Sequence, residues 1–246
     1  MIPAPVSAAA PASQTPAARL PVVTLDGPAG VGKTTLARRL AESLALPYLD
    51  TGAMFRSLAL RLGPDAGTLP ADVLRGRCAA WPFTLAGSGA ETRLFCDGVP
   101  VGDEIRTEAV GLLAARLGTV PAAREILKEA QRRMGERGPL VAEGRDMGTT
   151  VFPDARFKFF LDATPETRAR RRLRDMEQRG QSPDLATLAE QIRQRDAMDR
   201  ERAIAPLRPA PDALIVDTSA LDIDGVFLAL IHHIEANGGR GALAGG

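Results

Sequence analysis

The segment Gly27-Pro-Ala-Gly-Val-Gly-Lys33-Thr34-Thr35 is where residue types and spacing declare a chemistry most sharply. It fits the pattern G-x-x-x-x-G-K-[ST], and it follows the apolar run Val22-Val-Thr-Leu25. Gly27, Gly30 and Gly32 let the backbone curl around an anion with its N–H groups pointing inward. Pro28, Ala29 and Val31 fill the rest of the loop, and the helix that starts after it adds positive potential. In such a loop Lys33 reaches the β- and γ-phosphates, and the Thr34 hydroxyl faces Mg²⁺. The expectation is a nucleoside triphosphate site, with Thr34 as the protein's metal ligand.

Four further clusters combine arginines with carboxylates or hydroxyls. They are Leu49-Asp-Thr-Gly-Ala-Met-Phe-Arg56, Glu143-Gly-Arg-Asp-Met-Gly-Thr149, Arg168-Ala-Arg-Arg-Arg172 and Arg195-Asp-Ala-Met-Asp-Arg-Glu-Arg202. A planar guanidinium grips phosphate through two parallel hydrogen bonds, so such clusters suit a second anion site. Arginine is abundant everywhere in this chain, supplying 28 of its 31 basic residues, so position must decide which arginines matter.

The elements that hold these residues follow from hydrophobic periodicity. Val22–Leu25, Leu140–Ala142, Phe157–Leu161 and Ala213–Val216 read as buried strands, each followed at once by an acid: Asp26, Glu143, Asp162 and Asp217. Helical patterns lie between them; Leu36, Leu40 and Leu44 recur at i, i+4 and i+8. Strands alternating with helices imply an α/β fold, a parallel sheet covered by helices on both faces, with ligands at the strands' C-terminal ends. Asp26 has two readings there, ordering water around the metal or ending the strand. Phe83–Ala86, Thr92–Cys96 and Val99–Val101, separated by Gly87-Ser-Gly89 and Asp97-Gly98, read as a small antiparallel lobe inserted over about 65–102, with Pro100 on its edge. Residues 1–20, with seven Ala and four Pro, read as a disordered extension, 21–236 as the single folded domain, and the Gly-rich 237–246 as a flexible tail.

Several function classes drop out. The formal net charge of +1 argues against a general nucleic-acid binder. No apolar run approaches the roughly 20 residues needed to span a bilayer. Cys78 and Cys96 form no metal or disulfide pattern, so a reducing cytoplasm is the expected setting; a monomer is the expected state, though the sequence itself does not fix it. A guanine-reading N/T-K-x-D is missing around Lys128 and Lys158, the remaining lysines, which excludes a GTPase switch. The 246 residues suit a small kinase better than a motor ATPase.

With these clusters in view, the sequence from about Val22 to Ala236 closely resembles the bacterial cytidylate kinase family. The resemblance rests on G-P-A-G-x-G-K-[ST], Y-L-D-[ST]-G-A-M-[YF]-R, [ED]-G-R-D-[IM]-G-T-x-V-F-P-[DN]-A, R-D-x-x-D-x-x-R and the Ala205–Ala213 segment. It implies a P-loop fold of the nucleoside monophosphate kinase type, with a helical lid over about 165–202 and the β lobe serving as the monophosphate-binding insertion. It implies transfer of the ATP γ-phosphate to CMP and dCMP with Mg²⁺. Thr51, Arg56, Arg145 and Arg202 would hold the acceptor phosphate, and Arg195 and Asp199 would lie near the ribose. Arg124 and Asp146 would read the base; a carboxylate accepts from the cytosine amino group but faces uracil O4 lone pair to lone pair. Asp146 has a second reading, as support for Arg145 or for its own loop. Lys33 with the lid arginines Arg168 and Arg172 would stabilise the transferring phosphoryl group, the alternative for both arginines being an ordinary Arg-rich helix. One position departs from the family: Ala115 stands where many members have a serine that contacts cytosine. The expected consequence is modestly weaker cytosine binding or relaxed discrimination against UMP.

Overall fold

The computed structural model describes residues 19–178 and 180–243. Five parallel strands form the central sheet: β1 (Leu20–Asp26), β2 (Tyr48–Asp50), β6 (Leu140–Gly144), β7 (Ala155–Asp162) and β8 (Leu214–Asp217). Their order is β2-β6-β1-β7-β8. All the acids expected at strand ends lie at the same end of this sheet. Register pairs Asp26 with Gly144, Leu25 with Glu143, and Asp162 with Asp217. The sequence reading omitted β2, whose three residues are too short to show a period.

Alternate residues of the strands enter two apolar layers. Val22, Leu140 and Ala142 pack with Met54 and Leu58 of α2 (Thr51–Leu62) and Leu127 of α5 (Pro121–Glu136). Val23, Leu25, Val141 and Phe159 pack with Leu36 and Leu40 of α1 (Lys33–Leu44) and Leu230 of α8 (Ile223–Ala236). Both faces are therefore dry, which is why these strands read as continuous apolar runs.

The inserted antiparallel sheet comprises β3 (Phe83–Ala86), β4 (Arg93–Cys96) and β5 (Val99–Pro100), preceded by α3 (Ala71–Ala79). Asp97 and Gly98 both take positive φ, 57° and 70°, as the two-residue hairpin requires. Pro100 lies in the edge strand, where its missing N–H leaves no gap in the ladder. Trp81, Phe83, Leu85 and Leu94 pack the lobe onto the first core layer.

A helical hairpin of α6 (Pro165–Glu177) and α7 (Leu185–Glu201) occupies the expected lid region. Thr164 and Asp184 cap its two N-termini by accepting from Thr167 N and Thr187 N. Ala169, Leu188, Ala189 and Ile192 make a small core of its own, separate from the two main layers.

Two boundaries are corrected. Leu20, assigned to the extension, already belongs to β1; residues 1–18 lie outside the described residues. The C-terminal segment is folded as far as it is described. Gly239–Leu243 forms a 3-10 turn, and Leu243, only 2% exposed, is buried in the second core layer. One apolar anchor outweighs the glycines around it. Residues 244–246 lie outside the described residues.

Candidate active site

The loop between β1 and α1 has the backbone its composition demands. Gly27, Gly30 and Gly32 take φ of 147°, 83° and 90°. At Gly27 a Cβ would fall 2.1 Å from the Leu161 carbonyl oxygen, so only glycine fits between the loop and β7. Lys33 is buried, and its Nζ donates to the Pro28 carbonyl at 2.6 Å, closing the loop across itself. Burial, reinforced by Arg145, holds its pKa well below the ordinary lysine value.

Asp26 braces the turn that follows β6. It accepts from the backbone N–H groups of Met147 (2.9 Å) and Gly148 (2.7 Å), fixing the wide helical turn Met147–Val151 that follows β6. Burial pushes its pKa up to about 6, against the lowering effect of those two donors.

Glu143, at the end of β6, is the chemically telling carboxylate. One oxygen accepts from Thr34 Oγ1 at 3.1 Å, and the other accepts a short hydrogen bond from the Tyr48 hydroxyl. Burial and the nearby Asp50 raise its pKa. Burial and the Glu143 charge push that of Tyr48 upward, so the phenol stays a donor. Thr34 and Glu143 offer two hard oxygens beside the phosphate loop. That donor set fits Mg²⁺, which usually takes one or two protein oxygens and completes its shell with phosphates and water. Glu143 was visible in sequence only as an acid at a strand end; its contact with Thr34 depends on β6 lying beside β1.

From this loop a cavity of about 1400 Å³ extends to residues of α2, α5, α7 and the turn after β6. Thr51, Arg56, Arg124, Arg145, Asp146, Arg195, Asp199 and Arg202 all line it, as do Lys33 and Thr34. Thr51 is positioned by donating to the Glu143 carbonyl at 2.7 Å, and Asp50 caps α2 by accepting from Ala53 N. Arg145 Nε donates to Asp199 at 2.9 Å; burial raises the Asp199 pKa, but Arg145's charge and hydrogen bond hold it below the usual value. Asp146 bridges two arginines, Arg124 through one oxygen at 2.5 Å and Arg202 through the other at 3.3 Å. The supporting reading of Asp146 is therefore visible in the fold, directed at Arg124 and Arg202 rather than at Arg145. Arg56 and Arg195 have no ion-pair partner among the described residues. Burial and the charge of Arg145 lower the Arg195 pKa, with Arg56 and Arg172 adding to the effect. This end of the cavity has cationic capacity to spare.

The two lid arginines named from the sequence lie outside the cavity lining. Arg168 is 1% exposed and does not line the cavity. Its guanidinium holds Asp196 of α7 with two hydrogen bonds, the Ala163 carbonyl at 3.0 Å and the Ala29 carbonyl of the phosphate loop at 3.2 Å. These contacts tie the hairpin to the loop. Arg172 is exposed and lies outside the cavity lining. The helix presents Thr167, Arg170, Arg171 and Arg174 to the cavity instead, spaced as one helical face. Arg171 is oriented by Thr218, through its hydroxyl at 3.1 Å and its carbonyl. Thr218–Ile223, the loop after β8, forms the adjoining wall and escaped the sequence reading, since it carries no motif.

Among the described residues none from 65 to 102 lines this cavity; the wall comes from Ile105 and Arg106, α4 (Glu108–Leu117) and α5. Ala115 is part of that wall.

The cytidylate kinase family model matches residues 23–236, which covers both the phosphate loop and every acceptor-side residue named above. This chain belongs to the cytidylate kinase family. Among curated members of the family, the cytidylate kinase of Nitratidesulfovibrio vulgaris strain Hildenborough is 61% identical over 222 residues, spanning 90% of this chain and 96% of that one. That of Oleidesulfovibrio alaskensis is 55% identical over 214 residues, spanning 87% and 98%. The Pseudomonas aeruginosa PAO1 enzyme is 41% identical over 222 residues, spanning 89% and 97%. Family membership thus extends along the whole folded body, helical hairpin included. No helix among the described residues is long and apolar enough to cross a membrane.

Proposed function

We propose that this protein is a cytidylate kinase, moving the γ-phosphate of ATP to CMP and dCMP. The observation that carries the reading is the cavity joining the phosphate loop to a far wall where the guanidinium groups of Arg56 and Arg195 have no ion-pair partner among the described residues. A volume of about 1400 Å³ exceeds the roughly 300–1,000 Å³ of a typical one-ligand pocket and suits two nucleotides end to end.

The chain's own residues account for the transfer as a positioning problem. The loop N–H groups and Lys33 hold the donor's phosphates, whose charge draws the Lys33 pKa back up. Mg²⁺ bound at Thr34 and Glu143 would neutralise charge on the β- and γ-oxygens. Arg56 and Arg195, with Arg145 and Arg202 behind them, orient the acceptor phosphate for in-line attack. The transition state is loose, so several fixed cations matter more than one strong base. Arg170, Arg171 and Arg174 are the hairpin arginines placed to reach the donor, and Thr218–Ile223 would enclose its nucleoside. Asp146, braced by Arg124, presents a carboxylate to the acceptor base, which favours cytosine's amino group over uracil's carbonyl.

ADP release in a coupled assay, with ATP–Mg²⁺ and CMP, dCMP, UMP or AMP as acceptor, tests the proposal. Rapid turnover with CMP and dCMP, weak with UMP, is expected. Faster turnover with UMP or AMP would discard the base-reading assignment while keeping a kinase. Tight ATP binding with no acceptor-dependent turnover would point to a nucleotide-binding regulator.

A further inference from the structure

In the acceptor half of the cavity most polar groups already hold one another. Asp146 holds Arg124 and Arg202, Arg145 holds Asp199, and Lys128 is held by Glu125 at 2.9 Å. Gln131 differs. It lines the same cavity and is 1% exposed, yet its Nε2 has no hydrogen-bond partner among the described residues. Buried amide groups without partners are rare in folded proteins, because the group has given up its water for nothing. Gln131 lies seven residues beyond Arg124 on α5, hence on the same helical face and about 10 Å farther along the axis. That interval is wide enough for a base held between the two side chains.

We propose that Gln131 is a further base-reading residue, pairing its amide with the edge of the acceptor pyrimidine. The inference rests on the acceptor reading given above. An amide offers an N–H donor beside a carbonyl acceptor, and cytosine offers N3 as acceptor beside its N4 amino donor, so the two match as a bidentate pair. Uracil reverses the order, with N3–H beside O4. Rotating the amide by half a turn about its last torsion meets that pattern equally well. Gln131 therefore adds affinity for either pyrimidine and leaves the choice between them to Asp146, whose carboxylate can only accept.

The test compares the wild-type chain with Gln131→Met, using CMP, UMP and ribose 5-phosphate as competing acceptor-site ligands. The expected result is about tenfold weaker binding of both CMP and UMP, with their ratio held within about twofold, from the loss of two hydrogen bonds. Ribose 5-phosphate, which lacks a base, should bind both proteins equally, and the KM for ATP should not move. Unchanged CMP affinity would overturn the proposal. So would an equal weakening of ribose 5-phosphate, which would make Gln131 a packing residue. A wild-type chain that binds neither pyrimidine nucleotide would overturn the acceptor reading itself. Gln131→Glu, nearly isosteric but without the donor, gives a second reading should the methionine variant fail to fold. A carboxylate would meet a lone pair at cytosine N3 or at uracil O4 while still accepting from the neighbouring N–H, so CMP and UMP should weaken together, and unchanged affinity for both would overturn the proposal.

Discussion

On the proposed function the two ends of the cavity hold a phosphate by opposite means. At the donor end eight consecutive residues supply the cradle, and its donors are mostly backbone N–H groups fixed by three positive-φ glycines. At the acceptor end the groups come from α2, α5, the turn after β6, and α7, and they are side chains that partly neutralise one another. Backbone donors need no counter-charge, whereas guanidinium groups gathered in a half-buried wall repel each other unless carboxylates are interleaved. Asp146 and Asp199 supply that interleaving, and among the described residues Arg56 and Arg195 have no carboxylate partner. On that reading the paired arginines build the acceptor end and the unpaired ones are left to bind with it.

The sharpest way to break this comparison is at Arg168, the most fully paired arginine. Arg168→Met leaves Asp196 buried without its partner, and stability should fall by about 3–5 kcal/mol, read from denaturant unfolding. A variant as stable as the parent would remove Arg168 from the structural class. Next in size, Lys33→Ala should lower kcat by roughly 10²–10³-fold with little change in melting temperature, as for loss of one transition-state donor. A large loss of stability there would mean the loop is held by Lys33 Nζ and Pro28 rather than by its glycines. Asp26 sharpens the account of the donor end through pH. Its folded pKa, about 6, lies above its ordinary 3.8. Between those values the folded state binds the proton and the unfolded state does not, so stability falls as pH rises from about 4 to 6. The shift corresponds to up to about 3 kcal/mol, and Asp26→Asn should flatten that part of the profile. Parallel profiles for parent and variant would contradict the burial argument.

The same contrast explains what the sequence could disclose. A contiguous loop with a backbone mechanism is legible residue by residue, and so were four strands whose two buried faces leave unbroken apolar runs. The Asp97-Gly98 hairpin was equally plain, because positive φ at two adjacent residues restricts composition. The acceptor wall was legible only as clusters; which arginine pairs with which carboxylate depends on how α7 and α5 meet the turn after β6. The hairpin arginines show the limit most clearly. Five arginines within residues 168–174 leave the helix without a polar period, so the pair Arg168 and Arg172 and the face Arg170, Arg171 and Arg174 were equally consistent with the sequence. Only Asp196, 28 positions away, decides that Arg168 turns inward. Gln131 gave no signal at all, since a glutamine on an amphipathic helix ordinarily faces water. The tail was misjudged because composition weighs its glycines, while packing weighs Leu243.

The most direct test of the central claim is calorimetric titration of CMP into Arg195→Met beside the parent, with melting temperatures taken on the same samples. An unpaired guanidinium that serves binding alone predicts CMP affinity about 10–100-fold weaker, by loss of charge-assisted hydrogen bonds. Melting temperature should be unchanged or higher, since removing one of several neighbouring cations relieves repulsion. Unaltered CMP affinity, or a loss of stability matching that of Arg168→Met, would contradict the division between arginines that build the site and arginines that bind with it.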